Sequence, residues 1–312
     1  MKSVLRKTLL TLIMASMAIA PLFSMARAET KGEIVVGSKI DTEGALLGNM
    51  IVIALENAGF SVIDKSQTGA TNIVRSAIIA GEIDIYPEYT GNAFFFFPGQ
   101  SEEGLWKDAQ AGYEKARELD LKANNIVWLK PSPANNTWAI AIRQEMSERE
   151  GLATLEDLAR YINAGGEFKL AASEEFVSSE AALPSFEKSY GFSVKQNQLL
   201  VFAGGNTTLT EQAAATGQEG VNAAMAYGTD GQLAALNLKI LEDTLRIQPV
   251  YAPAAIIRGE VLEQHPTIKT LLEPIFESLT LEVLQRLNSQ IAVEGGAPRE
   301  VALAYLSQGG FL

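Results

Sequence analysis

The chain has 312 residues, 47% of them hydrophobic and 20% charged, with no cysteine, one histidine and a formal net charge of −12. That length suits one large domain or two of roughly 100–150 residues, each with its own core. The composition excludes a disordered or low-complexity chain, the missing cysteines exclude disulfides and thiolate chemistry, and the acidic balance disfavours nucleic acid and anionic lipid as partners.

Lys2, Arg6 and Lys7 precede the apolar run "LLTLIMASMAIAPLF", and Ala26-Arg27-Ala28 follows it as a cleavage site. This pattern is that of a secretory leader over residues 1–28, and the run is shorter than the ~20 apolar residues a spanning helix needs. Removing it takes Lys2, Arg6, Lys7 and Arg27 and no acid, so the −12 of the whole chain becomes −16. With no cysteine after the leader to carry a lipid, the mature chain is expected free in a Gram-negative periplasm.

After the leader, strands and helices alternate. "EIVVGS" reads as a strand, "TEGALLGNMIVIALENAG" as a helix with Thr42 as N-cap and Gly59 as its stop, and "FSVIDKS", "TNIVRSAIIAG" and "EIDIY" as strand, helix and strand. A long helix within residues 102–125 and the strand "IVWLK" follow. "PSPANNTW" (131–138) reads as a crossing, after which the alternation restarts through "WAIAIR", "FKLAAS", "NQLLVFAG", "VNAAMAYG" and "LKILED". A second crossing, "TLRIQPVYAPAA", leads to a helical C-terminus from about residue 259. The pattern predicts an α/β protein of two lobes, residues 29–136 plus 245–312 and residues 137–244, with a ligand cleft between them.

No G-x-S-x-G, P-loop, H-E-x-x-H or G-x-G-x-x-G motif is present, and His265 in "EQHPT" is placed as a surface residue rather than a general base. Glu88 is the most suggestive acid for a hydrolase, but nothing pairs with it in the sequence. The aromatics say more. Tyr86 and Tyr89 follow a strand in "GEIDIYPEYTGN", Trp138 sits at the first crossing, Tyr227 ends a strand and Tyr251 sits at the second crossing. Singly they read as packing. Tyr89, Trp138, Tyr227 and Tyr251 converging on one cleft would suit a quaternary ammonium, which has no N–H to donate and is held by ring faces. The run Phe94–Phe97 is assigned to packing, on alternating faces of an extended segment. Lys39, in the loop after the first strand, and the N-terminus of the first helix would receive a carboxylate.

The stretches "VGSKIDTEGALLGNM", "GEIDIYPEYTGN", "NNTWAIA", "AASEEF" and "NAAMAYGTDG" resemble the ProX/OpuCC-type substrate-binding proteins of osmoprotectant ABC importers. The resemblance implies a type II periplasmic binding fold, a non-enzymatic receptor for glycine betaine, choline or carnitine, no cofactor, a membrane permease as partner and a monomer. It implies a cage of Tyr89, Trp138, Tyr227 and Tyr251 around the trimethylammonium head, with Lys39, Thr42 and Asn92 on the carboxylate side. Two departures stand out. Ser179 occupies the position where relatives carry a carboxylate-clamping arginine, and Asp41-Thr42-Glu43-Gly44 replaces a common Phe-Thr-Glu-Gln. The first leaves Lys39 as the main cation and implies weak carboxylate recognition or a ligand other than glycine betaine. A receptor for another small solute, such as an amino acid held by Asp41, Glu43 or Asp230, and a hydrolase built on Glu88 are the alternatives.

Overall fold

The computed structural model describes residues 31–100, 102, 104–203 and 206–312; the leader expected at residues 1–28 lies outside them. Among the described residues ten strands form two five-stranded sheets. The first sheet has the order β2-β1-β3-β10-β4, from Ser61–Gly69, Glu33–Lys39, Ile85–Tyr89, Pro253–Arg258 and Ile126–Trp128. The second has the order β7-β6-β8-β5-β9, from Leu199–Phe202, Leu170–Ser173, Ala223–Tyr227, Trp138–Arg143 and Leu238–Ile240. In each sheet three neighbours run parallel, and the strand that enters from the other half, β10 or β5, pairs antiparallel on both sides. Parallel neighbours require a crossover helix; a strand arriving from a separate sheet does not, and antiparallel pairing is open to it.

The two faces of the first sheet carry separate apolar layers. One packs under the helix Thr42–Asn57 and the C-terminal helices, around Val36, Met50, Ile85, Phe276 and Leu306. That first helix is buried along nearly its whole length because the sheet covers one side and the C-terminal helices the other. The opposite layer gathers Val74, Ile78, Tyr86, Trp128 and Ile256. Within it Arg75 and Asp120 form a buried bidentate pair at 2.7 and 2.6 Å, and Trp128 Nε1 and Asn124 Nδ2 donate to the same carboxylate at 2.8 and 2.9 Å. All the lone pairs that matter are satisfied, which a buried charge requires. The second sheet repeats the arrangement around Leu158, Phe176 and Phe186 on one face and Ala213, Val221 and Ala224 on the other.

Several expectations are corrected. Asp41, not Thr42, caps the first helix: its carboxylate accepts from Gly44 N at 2.7 Å, and Thr42 is the first helical residue. The strand expected over "EIDIY" lies at Ile85–Tyr89 instead, so Tyr86, Pro87 and Tyr89 are all within it. Proline is tolerated there because Pro87 faces Ala255, whose carbonyl accepts from Leu129 on the far side of β10. The pair is therefore a non-hydrogen-bonded one, and the ladder needs no N–H from Pro87. The phenylalanine run is not extended; Ala93–Phe96 is a short helix, with Phe94 and Phe95 exposed. Lys39 ends β1 rather than lying in a loop, and His265 packs its ring edge-on against Phe60 at 5.3 Å.

Candidate functional site

The central strands of both sheets point the same ends at a shared cleft of about 1050 Å³. β1 ends at Lys39, β3 at Tyr89 and β8 at Tyr227. The antiparallel strands bring their beginnings to the same place: Trp138 opens β5 opposite Tyr227, and Tyr251 stands two residues before Pro253, which opens β10 opposite Tyr89. Carboxyl ends of parallel strands are where α/β sheets present side chains to ligands.

Lys39, Thr42, Tyr89, Asn92, Trp138, Ser179, Tyr227 and Tyr251 all line this cleft. Trp138 is central among the rings. It lies 6.1 Å from Tyr251 at a 53° tilt and 6.1 Å from Phe176 edge-on, so one ring links aromatic side chains of both sheets. The two crossings are tied together beside it: Asn136 N donates to Tyr251 O at 2.9 Å, and Tyr251 N donates to Asn135 Oδ1 at 2.8 Å. The Tyr251 hydroxyl is buried with no hydrogen-bonding partner among the described residues. Burial pushes the phenols of Tyr227, Tyr251 and Tyr89 upward, so all three stay neutral hydroxyls at physiological pH.

The Tyr251 ring rests on Gly91, where a Cβ would fall 2.7–2.9 Å from ring carbons. Gly91→Ala is therefore expected to displace Tyr251 and weaken ligand binding about tenfold, with a smaller change in thermal midpoint, measured by calorimetric titration and a melting curve on the same protein.

The polar side differs from its expectation. Lys39 Nζ does not stand free for a ligand; it donates to Glu88 at 2.6 Å and lies 4.5 Å from the centre of the Tyr89 ring. One face of Tyr89 thus already carries the protein's own cation. Asn92 Nδ2 also donates to Glu88, at 2.7 Å. Glu88 itself is fully buried behind the cleft wall, which does not suit the hydrolytic role considered for it. The departure at Gly44 is one of backbone as well as side chain: a Cβ there would meet the Lys39 carbonyl at 2.7 Å, so a glutamine would force the turn after β1 to shift.

Acids share the remaining wall with neutral polar side chains. Asp41, Glu43, Glu175 and Asp230 line it, and Lys39 is the one Lys or Arg among the described residues that does. Glu43 accepts from Tyr89 Oη at 2.9 Å, Asn136 Nδ2 at 3.0 Å and Asn288 Nδ2 at 2.7 Å. Burial pushes its carboxyl up to about 7, against hydrogen bonds from Thr229 and Asn288 that pull it down. Burial raises the carboxyls of Glu211 and its neighbour Asp230, and the negative charge of Asp230 raises Glu211 further. Glu43 and Glu211 were not legible as buried carboxyls, because each depends on contacts made far along the chain. Phe95 and Phe96 also line the cleft, beyond the packing role assigned to them. The Arg75 guanidinium, 4.4 Å from the Phe96 ring centre, backs that wall. Among the described residues no cluster suits a metal ion, and no helix is long and apolar enough to cross a membrane.

Known proteins place this architecture. The chain is 54% identical over 276 residues to the glycine betaine-binding protein YehZ of Escherichia coli, covering 88% of this chain and 90% of that one. It is 32% identical over 300 residues to the glycine-betaine-binding protein of Pseudomonas aeruginosa, covering 94% and 92%. The solved structure of apo YehZ from Escherichia coli superposes with a TM-score of 0.72, covering 90% of this chain and 99% of that one, which shows the type II periplasmic binding fold here. Residues 32–308 match the model of the substrate-binding domain of ABC-type glycine betaine transport systems, and the chain belongs to that family.

Proposed function

We propose that the cleft captures a small quaternary amine such as glycine betaine or choline and delivers it, chemically unchanged, to an ABC permease. The observation that carries this reading is the convergence of Tyr89, Trp138, Tyr227 and Tyr251 on one cleft that also presents Asp41 and Glu175. Aromatic faces attract a cation that cannot hydrogen-bond, at up to ~2 kcal/mol or more each once water is excluded, and the surrounding carboxylates raise its local concentration. An amino acid receptor would rest on a carboxylate meeting a primary ammonium with few rings nearby; four aromatic side chains favour the quaternary amine. Closure of the lobes at 29–136 plus 245–312 and at 137–244 would desolvate the head group and strengthen its contacts. The mature protein, cleaved after Ala28, would act as a monomer in the periplasm.

The test compares choline with 3,3-dimethylbutan-1-ol, the same shape with carbon in place of the charged nitrogen. By calorimetric titration choline or glycine betaine is expected to saturate the protein, and the neutral isostere to bind at least 100-fold more weakly than choline. Equal affinities for charged and neutral forms would refute an aromatic cation site, as would no saturable heat with either quaternary amine into the millimolar range.

A further inference from the structure

Glu88 holds an unusual position for a carboxylate one layer behind a ligand cleft. It is fully buried, and four donors converge on it. Lys39 Nζ at 2.6 Å, Tyr89 N at 2.7 Å and Asn92 Nδ2 at 2.7 Å all reach Oε1, while Tyr86 Oη reaches Oε2 at 2.7 Å. Two of these donors, Lys39 and Asn92, are the side chains best suited to receive a ligand carboxylate. Lys39 is also the sole Lys or Arg on the cleft wall among the described residues. Its charge is balanced by Glu88 within a hydrogen bond's length, so a carboxylate approaching Lys39 meets a second carboxylate directly behind the ammonium. A ligand ending in a hydroxyl meets no such opposition.

We propose that Glu88 is a positioning residue that sets the charge selectivity of the cleft, disfavouring a quaternary amine that carries a carboxylate relative to one that carries an alcohol. The inference rests on the quaternary-amine reading above. It concerns how the tail of the ligand is discriminated, whereas the aromatic side chains concern the head. An ammonium has three donors, so Lys39 can still reach a carboxylate while bound to Glu88. The penalty is the like charge at its back rather than a missing donor.

Glu88→Gln is the informative change because it alters charge with little alteration of contacts. The amide oxygen keeps the place of Oε1 and its three donors. The amide nitrogen takes the place of Oε2, whose one partner, the Tyr86 hydroxyl, can reorient to accept. Glycine betaine and choline would each be titrated calorimetrically into the wild type, Glu88→Gln and the double variant Lys39→Met with Glu88→Gln. In Glu88→Gln glycine betaine is expected to bind about tenfold tighter or better, while choline is unchanged or weaker against the now unbalanced Lys39. In the double variant, where ammonium and carboxylate are both gone, the tightening of glycine betaine seen in Glu88→Gln is expected to be lost, because it acts through Lys39. Equal changes for the two ligands, or a loss of glycine betaine affinity in Glu88→Gln, would make Glu88 a purely structural residue. Should Glu88→Gln fail to fold, the double variant still decides: glycine betaine weakened tenfold or more there would mean that Lys39 clamps the carboxylate unopposed in the wild type. Binding of neither ligand to the wild type would overturn the quaternary-amine reading, and this inference with it. Binding of both with an unchanged ratio would overturn this inference alone.

Discussion

Trp138→Ala is expected to weaken binding of a quaternary ammonium by at least 30-fold. A cation over a desolvated indole gains about 2 kcal/mol, which is that factor in affinity, and Trp138 also braces Tyr251 and Phe176 at 6.1 Å each. Stability should fall too, by about 3 kcal/mol, because the side chain is 92% buried within the core of the second sheet (8% exposed) and its removal leaves a cavity. Trp138→Phe separates the two effects, since it keeps an aromatic face and most of the packing. Its affinity is expected within about fivefold of wild type. A Trp138→Ala protein that still melts cooperatively and binds glycine betaine or choline as tightly as before would show that the head group sits elsewhere.

Raising the pH from 4 to 8 is expected to lower the unfolding free energy by about 3 kcal/mol through Glu43 alone. Burial lifts this carboxyl from 4.5 to about 7, so the folded protein binds the proton more tightly than the unfolded chain does. The contribution is complete below pH 4.5 and is lost as the pH rises through about 7, and 2.5 units of separation correspond to that energy. Glu211 and Asp230 act in the same direction, so the measurement must be a difference. Urea midpoints at several pH values would be compared between wild type and Glu43→Gln, whose amide oxygen can keep the hydrogen bonds from Tyr89 and Asn136. Glu43→Gln should lessen the slope between pH 5 and 7 relative to wild type, leaving the part carried by Glu211 and Asp230; parallel curves would contradict the assignment. Asn288, which donates to Glu43, also donates to Thr229 O, and Gln285 donates to Gly228 O, so the network around Glu43 reaches a contact that joins elements on both sides of the cleft.

Much of this was legible because it depends on local pattern. Alternating β-branched strands and helices, the two proline-rich crossings and the aromatics beside them all follow from short-range periodicity and turn chemistry. The misreadings share a physical cause: each hinges on a partner distant in sequence. Pro87 argues against a strand until Ala255 of β10 is known to lie opposite without needing its N–H. Lys39 reads as a free cation until Glu88, 49 residues away, is found against it. The phenylalanine run reads as extended because four large apolar residues suit a buried strand, yet Arg75 stacks on Phe96 and a helical turn turns Phe95 and Phe96 toward the cleft. Asp41 and Thr42 are both good caps, and only the backbone entry into the helix distinguishes them.

The crossings have a mechanical consequence. They join the two sheets next to Trp138 and Tyr251, and are stitched to one another through Asn135 and Asn136. Under the closure proposed above, a rotation about that seam would give these two rings little lever arm, so they would travel as one piece. Phe95 and Thr208, which line the cleft from elements outside the crossings, would sweep the greater arc. A ligand would therefore land first on a half-built seat near the pivot, and the far rim would descend on it afterwards, so that arrival rates should track the pivot residues and escape rates the rim.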